Sequence, residues 1–366
     1  MKILLVRLRL IGDVTFTTPL LGALRRRFPD AHLAYLVEPV AEPVVRGNPH
    51  LDQIIVTPRR RGLERLRDDL ALAWRLRRDA FDLVLDLHGG PRSAWLTWAS
   101  GAPRRIGYTI AGRSWMYTDV VQRAPDLTPR HSVQNQWDLL SPLGIEAPSP
   151  ERDPLEMVED PEAAASILVR LRDAGIAAGP LVAVHVSAGN PFRRWPESAF
   201  VDMICALVRR DPRRRIALFS GPSDADAARR ITHAVQARLG DLAAAVPFLG
   251  HLGIGEIRAL AAASAVYIGG DSGPLHIAST TTTPIVALLG PTLAERSMPW
   301  RDPRWFAEAV QVAGLACRPC HQRTCVPGDF RCLTGITPEQ VVAAAERALA
   351  YTVSNEASNE TKAMHA

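Results

Sequence analysis

"MKILLVRLRLIGDVTFTTPLLGALRRRFP", Met1–Pro29, opens with an apolar run of strand length, Lys2–Arg7. A short loop carrying Gly12 and Asp13 follows it. After Thr17 or Thr18 the apolar spacing becomes helical, with Pro19 in the first turn and Leu20, Leu21 and Leu24 as a buried stripe. Strand, loop and amphipathic helix make one βα unit, and the chain goes on repeating it. Further strands are predicted at Ala31–Leu36, Gln53–Val56, Leu83–Leu87, Arg105–Gly107, Leu181–His185, Arg215–Ser220, Ala265–Ile268 and Pro284–Leu288. Helices are predicted at Thr17–Arg27, Leu63–Arg77, Glu197–Arg209, Ala225–Leu239 and Ile254–Ala263. Such alternation implies an α/β protein of parallel, doubly wound sheets.

At 366 residues the chain is longer than one core usually supports, so two domains are expected. The Pro-rich, polar stretch "GIEAPSPERDPLEMVEDPEAA", residues 144–164, is the natural boundary. We place an N-terminal Rossmann-like domain at 1–160, a C-terminal one at 161–351 and a disordered tail at 352–366. A charged, short N-terminus and the lack of any bilayer-length apolar run lead us to expect a cytoplasmic protein. The net charge of +5 is uneven: residues 1–150 hold 21 Lys+Arg against 15 Asp+Glu, a balance of +6, leaving −1 for the rest. The N-terminal half should therefore prefer an anionic partner. No nucleic-acid-binding motif accompanies that charge, so nucleic acid is not expected as a partner.

In an open parallel sheet ligands sit beyond the carboxyl ends of the strands. Asp13 falls there, either as a reactive carboxylate or as a residue that only satisfies loop amides. The loop lacks GxGxxG and is no dinucleotide fingerprint. "YIGGDSGPLHIAST", Tyr267–Thr280, leaves a strand through glycines and enters a helix at Gly273-Pro274. Ser272 suits a cap, Pro274 the first helical turn and Gly273 a close approach of backbone to ligand. The start of that helix favours phosphate, while Asp271 can accept hydrogen bonds from sugar hydroxyls. A capped helix without a ligand is the alternative. "VAVHVSAGNPFRRWPESAF", Val182–Phe200, places Ser187, Arg193 and Arg194 to hold a diphosphate, unless the arginines are merely solvated beside a packed Trp195. "FSGPSDADAA", Phe219–Ala228, has the same strand–glycine–helix form and can cover a nucleoside.

With "GDV", "DLHGGPRSAWLTWASGAPRRIGY", "FRRWP", "GGDSGPLHIA", "LLGPT" and a terminal cysteine block, the chain from Met1 to about Ala350 resembles glycosyltransferase family 9, the bacterial ADP-heptose:lipopolysaccharide heptosyltransferases, most like type II. The resemblance implies a GT-B fold, two Rossmann-like domains facing across a cleft, with acceptor on the N-terminal and nucleotide-sugar on the C-terminal domain. It implies inverting transfer of heptose from ADP-heptose to the lipid A–core acceptor, without metal or cofactor, by a monomer peripheral at the inner leaflet of the inner membrane. Asp13 matches the family's catalytic base, Asp271 the carboxylate on the donor sugar, and Ser272, Gly273, Pro274, Leu275 and His276 the phosphate-facing turn. Arg193 stands where many members have Lys, and "STTTTP", Ser279–Pro284, is more Thr-rich than the family pattern.

"TPRRRGLERLRDDLALAWRLRR", Thr57–Arg78, gathers Arg59, Arg60, Arg61, Arg65 and Arg67. A solvated helix face is one reading. Family members resembling this chain carry basic residues here that meet the phosphorylated inner core, and anionic lipid would be attracted too. "CRPCHQRTCVPGDFRC" spaces Cys317, Cys320, Cys325 and Cys332 as C-x2-C-x4-C-x6-C, open to a structural metal site, reduced packing thiols or a disulfide pair. Cys205 is expected in the core. Three further functions stay open: a family 9 transferase using another nucleotide-sugar or acceptor, a GT-B nucleotide-sugar epimerase, and a non-catalytic sensor of sugar nucleotides.

Overall fold

The computed structural model describes residues 1–58, 60–176 and 179–364, with side chains inside the last helix described as far as Val353. Two compact units divide the chain, Met1–Val158 and Glu159–Ala366. Most of the tail expected at 352–366 lies outside the described side chains.

The first unit holds β1 (Lys2–Val6), β2 (His32–Val37), β3 (Gln53–Val56), β4 (Leu83–Asp86), β5 (Arg104–Tyr108) and β6 (Asp119–Val121), ordered β3-β2-β1-β4-β5-β6. The second holds β7 (Leu181–His185), β8 (Arg215–Ser220), β9 (Phe248–His251), β10 (Val266–Gly270), β11 (Ile285–Leu288) and β12 (Ala307–Val310), ordered β12-β11-β10-β7-β8-β9. Every pairing is parallel, with Leu4 opposite Ala34 and Val84 in one sheet and Ile268 opposite Val184 and Val286 in the other. Counted within its own unit, each sheet follows the Rossmann order 3-2-1-4-5-6, whose direction of winding reverses between first and fourth strands. The switch points are therefore β1/β4 and β7/β10. That is where the candidate residues lie.

The central strands are buried on both faces, which explains their nearly continuous apolar runs. Helix Thr18–Arg27 buries Leu20, Leu21 and Leu24 completely, each contributing about 1.5–3 kcal/mol. Its three terminal arginines suit the negative end of the helix. In the second unit Ile204, Leu207 and Val208 of helix Glu197–Arg210 pack with Val182, Val184 and Ile216 in one core. The Thr-rich segment after helix Gly273–Ala278 also finds an explanation. Hydroxyls of Ser279, Thr280 and Thr281 donate to the carbonyls of Leu275, Ile277 and Ala278, while buried Arg301 donates to the carbonyls of Thr281 and Thr283. The threonines thus satisfy the orphan acceptors of a short helix's end. No helix among the described residues is long and apolar enough to cross a membrane.

Candidate functional site

Asp13 lies in a short helix, Ile11–Thr15, where a loop was expected. The preceding Leu10 has φ 68°, a left-handed conformation that costs a non-glycine residue about 1–3 kcal/mol. Arg7, just past the end of β1, donates through Nη2 to Oδ2 of Asp13 and through Nη1 to the carbonyl of Leu87 beyond β4. One guanidinium therefore ties the ends of both switch-point strands to the carboxylate. The Arg7 side chain is 7% exposed and that of Asp13 31%, so the anchor is inside and the carboxylate reaches solvent.

The β4 end is built around Asp86, a fully buried carboxylate. It accepts from the amides of His88 and Gly89 at 3.0 and 2.9 Å, from Ser93 Oγ at 3.0 Å and from the Tyr117 hydroxyl at 2.7 Å. Burial pushes its carboxyl upward against those four donors. Tyr117 reaches it by crossing over Gly107, where a Cβ would meet the ring at 2.4 Å. His88 rests on Gly90 in the same way, 2.6 Å from where a Cβ would stand. Burial and the charges of Arg7 and Arg9 bring the His88 imidazole down to about 4, which keeps it neutral at physiological pH.

In the basic segment, Arg60 pairs with Asp68 at 3.3 Å and with Glu64 at 3.8 Å, and Arg61 is an exposed residue at the start of helix Gly62–Asp79. Arg59 lies outside the described residues. Arg65 pairs with Asp69 at 3.4 Å. The sequence reading missed Arg92, which fixes this segment from beneath by binding Asp69 at 2.7 Å, Glu38 at 3.1 Å and Thr57 Oγ1 at 2.9 Å.

The second unit centres on Asp271, at the end of β10 and 3% exposed. Its Oδ1 is 3.5 Å from His276 Nε2, and its Oδ2 faces Arg193 Nη1 at 3.0 Å, an ion-pair distance without hydrogen-bond alignment. Burial alone would raise the carboxyl, but the hydrogen bond of His276 and the charge of Arg193 outweigh it and hold Asp271 down at about 2. Arg193 also donates from Nη1 to the Asp271 carbonyl at 3.2 Å and from Nε to Gln322 Oε1 at 2.6 Å. Gln322 accepts from Asn190 Nδ2 at 3.1 Å and donates to Thr292 Oγ1, also at 3.1 Å. Gln322, Asn190 and Thr292 thus frame Arg193.

Two serines of this unit, Ser187 and Ser272, make other contacts than those expected. Ser272 occupies the cap position of helix Gly273–Ala278 but forms no side-chain cap, its hydroxyl donating to the Gly270 carbonyl and lying 3.5 Å from His185 Nδ1. Leu275 is fully buried, so only its backbone can face a ligand, and buried His276 lies against Asp271. Gly273 and Pro274 form the helix's first turn. Ser187 is buried and donates to Asp224, and Arg194 pairs with the same carboxylate at 2.8 Å. Asp224, from the "GPSD" loop, was missed, because what it does depends on residues nearly forty positions away. A small pocket remains among Ser187, Arg193, Arg194, Trp195 and Gly270.

Cys317, Cys320, Cys325 and Cys332 are free thiols, which overturns the disulfide alternative, as is Cys205, buried in the second core. Among the described residues no three His, Cys, Asp or Glu side chains gather to hold a metal ion, so the possible structural site is not formed by these cysteines as placed. Gln322 shows what their segment does carry.

The family model for glycosyltransferase family 9 (heptosyltransferase) matches residues 70–330, and the chain belongs to that family. It is similar to lipopolysaccharide heptosyltransferase 3 of Escherichia coli K12, with 25% identity over 350 residues, 93% of this chain and 96% of that one. The fold matches E. coli ADP-heptose lipopolysaccharide heptosyltransferase II with a TM-score of 0.75 at 20% identity, covering 97% of this chain and 100% of the other. A heptosyltransferase of E. coli solved with ADP-2-deoxy-2-fluoro heptose matches at 0.65 and 20%, covering 95% and 99%. The expected GT-B class and the family resemblance are both borne out.

Proposed function

We propose that the protein is an inverting glycosyltransferase that moves heptose from ADP-heptose to the inner core of lipopolysaccharide. The donor is assigned to the C-terminal unit, placed at 161–351, and the acceptor to the N-terminal one, at 1–160. The observation that carries the reading is Asp13, an accessible carboxylate held at the β1/β4 switch point by a buried arginine in a chain of family 9. Its Oδ2 is occupied by Arg7, and Oδ1 is left to take a proton.

The chemistry is a single displacement. The acceptor hydroxyl oxygen attacks the anomeric carbon and gives its proton to Asp13. The bond from that carbon to the diphosphate breaks, and its electron pair leaves on ADP. Arg193, with the Gly273–His276 turn, balances the charge that develops on the diphosphate. Asp271 Oδ2, with no aligned donor among the described residues, is the acceptor for a sugar hydroxyl. Ser187 acts through the loop it ties to Asp224. Because Arg193 supplies the charge, transfer proceeds without a divalent cation, and turnover in excess EDTA checks this. Arg59, Arg60 and Arg61 meet acceptor phosphates. The protein works as a monomer in the cytoplasm, peripheral to the inner membrane.

The test is Asp13→Asn in the purified protein. Folding and ADP-heptose affinity should persist while turnover drops roughly 100-fold or more, the scale of a lost general base. Turnover near that of the unmodified protein would remove Asp13 from this role.

A further inference from the structure

Helix Gly62–Asp79 packs inward through Leu72, Ala73 and Leu76. It carries a second apolar stripe that faces outward. Leu63, Leu66, Leu70 and Trp74 are spaced three and four apart and are 85%, 56%, 51% and 79% exposed. At about 100° per residue all four fall within roughly a third of the helix circumference. The same arc contains Arg67, Arg77 and Arg78, all exposed, none in an ion pair among the described residues. The acids of the helix lie elsewhere on it: Glu64 and Asp68 face Arg60, Asp69 binds Arg92 and Arg65, and Asp79 pairs with Arg75. The outward arc is therefore apolar and purely cationic.

We infer that this face is the membrane-docking surface of the protein, lying in the headgroup region of a bilayer rich in anionic phospholipid. Exposed Leu and Trp beside arginines are what an interfacial helix needs: apolar side chains that reach the acyl boundary and guanidinium groups level with phosphate. Three uncompensated positive charges select an anionic occupant. They also argue against a second copy of the chain, because a two-fold contact would set this cationic arc against the same cationic arc of the other copy. The inference rests on the membrane-peripheral part of the proposed function alone and requires no transfer reaction.

The experiment is co-sedimentation of the full-length protein with vesicles of phosphatidylethanolamine and phosphatidylglycerol, and with vesicles of phosphatidylcholine alone. The unmodified protein should bind the anionic vesicles and leave the neutral ones. The double substitution Leu70→Ser with Trp74→Ser should lower partitioning at least about tenfold. Each of Arg67→Gln and Arg78→Gln should lower it about fivefold, in proportion to a charge near an anionic surface. Turnover of the Leu70/Trp74 variant on a soluble acceptor fragment should match that of the unmodified protein, which separates docking from catalysis. Sedimentation velocity without lipid supplies the other arm. Equal vesicle binding by all forms, no vesicle binding at all, or a dimer that the Leu70/Trp74 variant dissolves would each overturn the assignment.

Discussion

Removing Arg193 should do two separable things, and the structure sets the size of each. The Asp271 side chain is 3% exposed and Arg193 31%, with 3.0 Å between them. Breaking one side of a fully buried pair costs about 3–5 kcal/mol. Arg193 is partly solvated and His276 stays beside the carboxylate, so for Arg193→Ala the cost is about 1–2 kcal/mol. For a unit of this size that lowers Tm by roughly 2–8 °C. The loss has a pH signature. In the intact protein the folded carboxyl, at about 2, lies below its ordinary value of 3.8, so the pairing stabilises above the ordinary value and is lost as pH falls through the folded one. Without Arg193 one of the influences that hold the carboxyl down is gone, and the folded carboxyl rises from about 2. The penalty is then largest near neutrality and shrinks as Asp271 takes a proton on acidification. The Tm difference between the two proteins should accordingly narrow on acidification toward pH about 2, where the intact protein's Asp271 is protonated as well. ADP affinity, by calorimetry, should fall roughly 10- to 150-fold, from a lost charged hydrogen bond worth about 1.5–3 kcal/mol. Arg193→Lys should restore the Tm and its pH response, since a point charge suffices opposite Asp271. It should restore ADP affinity only in part, because Lys cannot also reach Gln322 with an Nε. Identical Tm at every pH together with an unchanged ADP affinity would refute this account of the site.

Three more outcomes are expected. Gln322→Met should weaken ADP binding by about 3- to 10-fold with acceptor KM unchanged, while Gln322→Glu, which keeps the oxygen facing Arg193, should recover most of it; equal effects on both KM values would make Gln322 a general structural residue. Burial holds His185 at about 4 against an ordinary 6.5, so the unfolded chain takes up the proton first as pH falls; stability should decline between those values by up to about 3 kcal/mol, and chemical denaturation of His185→Gln should show a shallower decline. Replacing Arg60 and Arg61 by Gln should raise the acceptor KM and leave the donor KM alone. Added salt should imitate that change, since exposed charges are screened over about 8–10 Å, and a dephosphorylated acceptor fragment should be indifferent to both.

The inner strands were legible because they are buried on both faces and read as unbroken apolar runs. Asp119–Val121, Phe248–His251 and Ala307–Val310 were not, and all three belong to the outer parts of the sheets, with β6, β9 and β12 each at an edge. Such strands are half wet, and without a two-sided core their sequences lose the signal. Asp271 could be picked out because it follows its strand directly, and Asp13 because it lies in the short connection between the first strand and the first long helix, at the strand's carboxyl end. Their partners split by distance in sequence. His276, one helical turn from Asp271, was visible as a neighbour, whereas Gln322 reaches Arg193 across 129 positions and Arg92 reaches Glu38 across 54. Ser187 and Arg194 were placed in the right loop but given a ligand instead of Asp224, since nothing local says which acid closes the loop. In the cysteine block the eye falls on the thiols, while the residue that enters the site is the glutamine between them.

Arg7–Asp13 and Arg193–Asp271 are the same device at equivalent points of two Rossmann sheets, an acid at a switch point held by an arginine, yet their exposures are reversed. In the first pair the arginine is inside and 31% of the acid's side chain is exposed; in the second the acid is inside and 31% of the arginine's is. Exposure decides what each pair can do. A carboxylate anchored from behind keeps a free oxygen at the surface, and it can accept a proton from an incoming hydroxyl without moving its anchor. A carboxylate sealed in and held near 2 has no such use, because protonating it would leave Arg193 facing a neutral acid in a buried site. What it can do is aim the arginine outward, where in the proposed function the guanidinium meets the diphosphate. In the proposed mechanism, exchanging the burial of acid and base therefore converts one motif from a proton acceptor into an anion clamp. The charge balance of the two halves does not predict this, since the clamp sits in the half whose net charge is −1. Steering by net charge and grip by a single buried pair act on different scales, and only the second depends on which residue the fold leaves exposed.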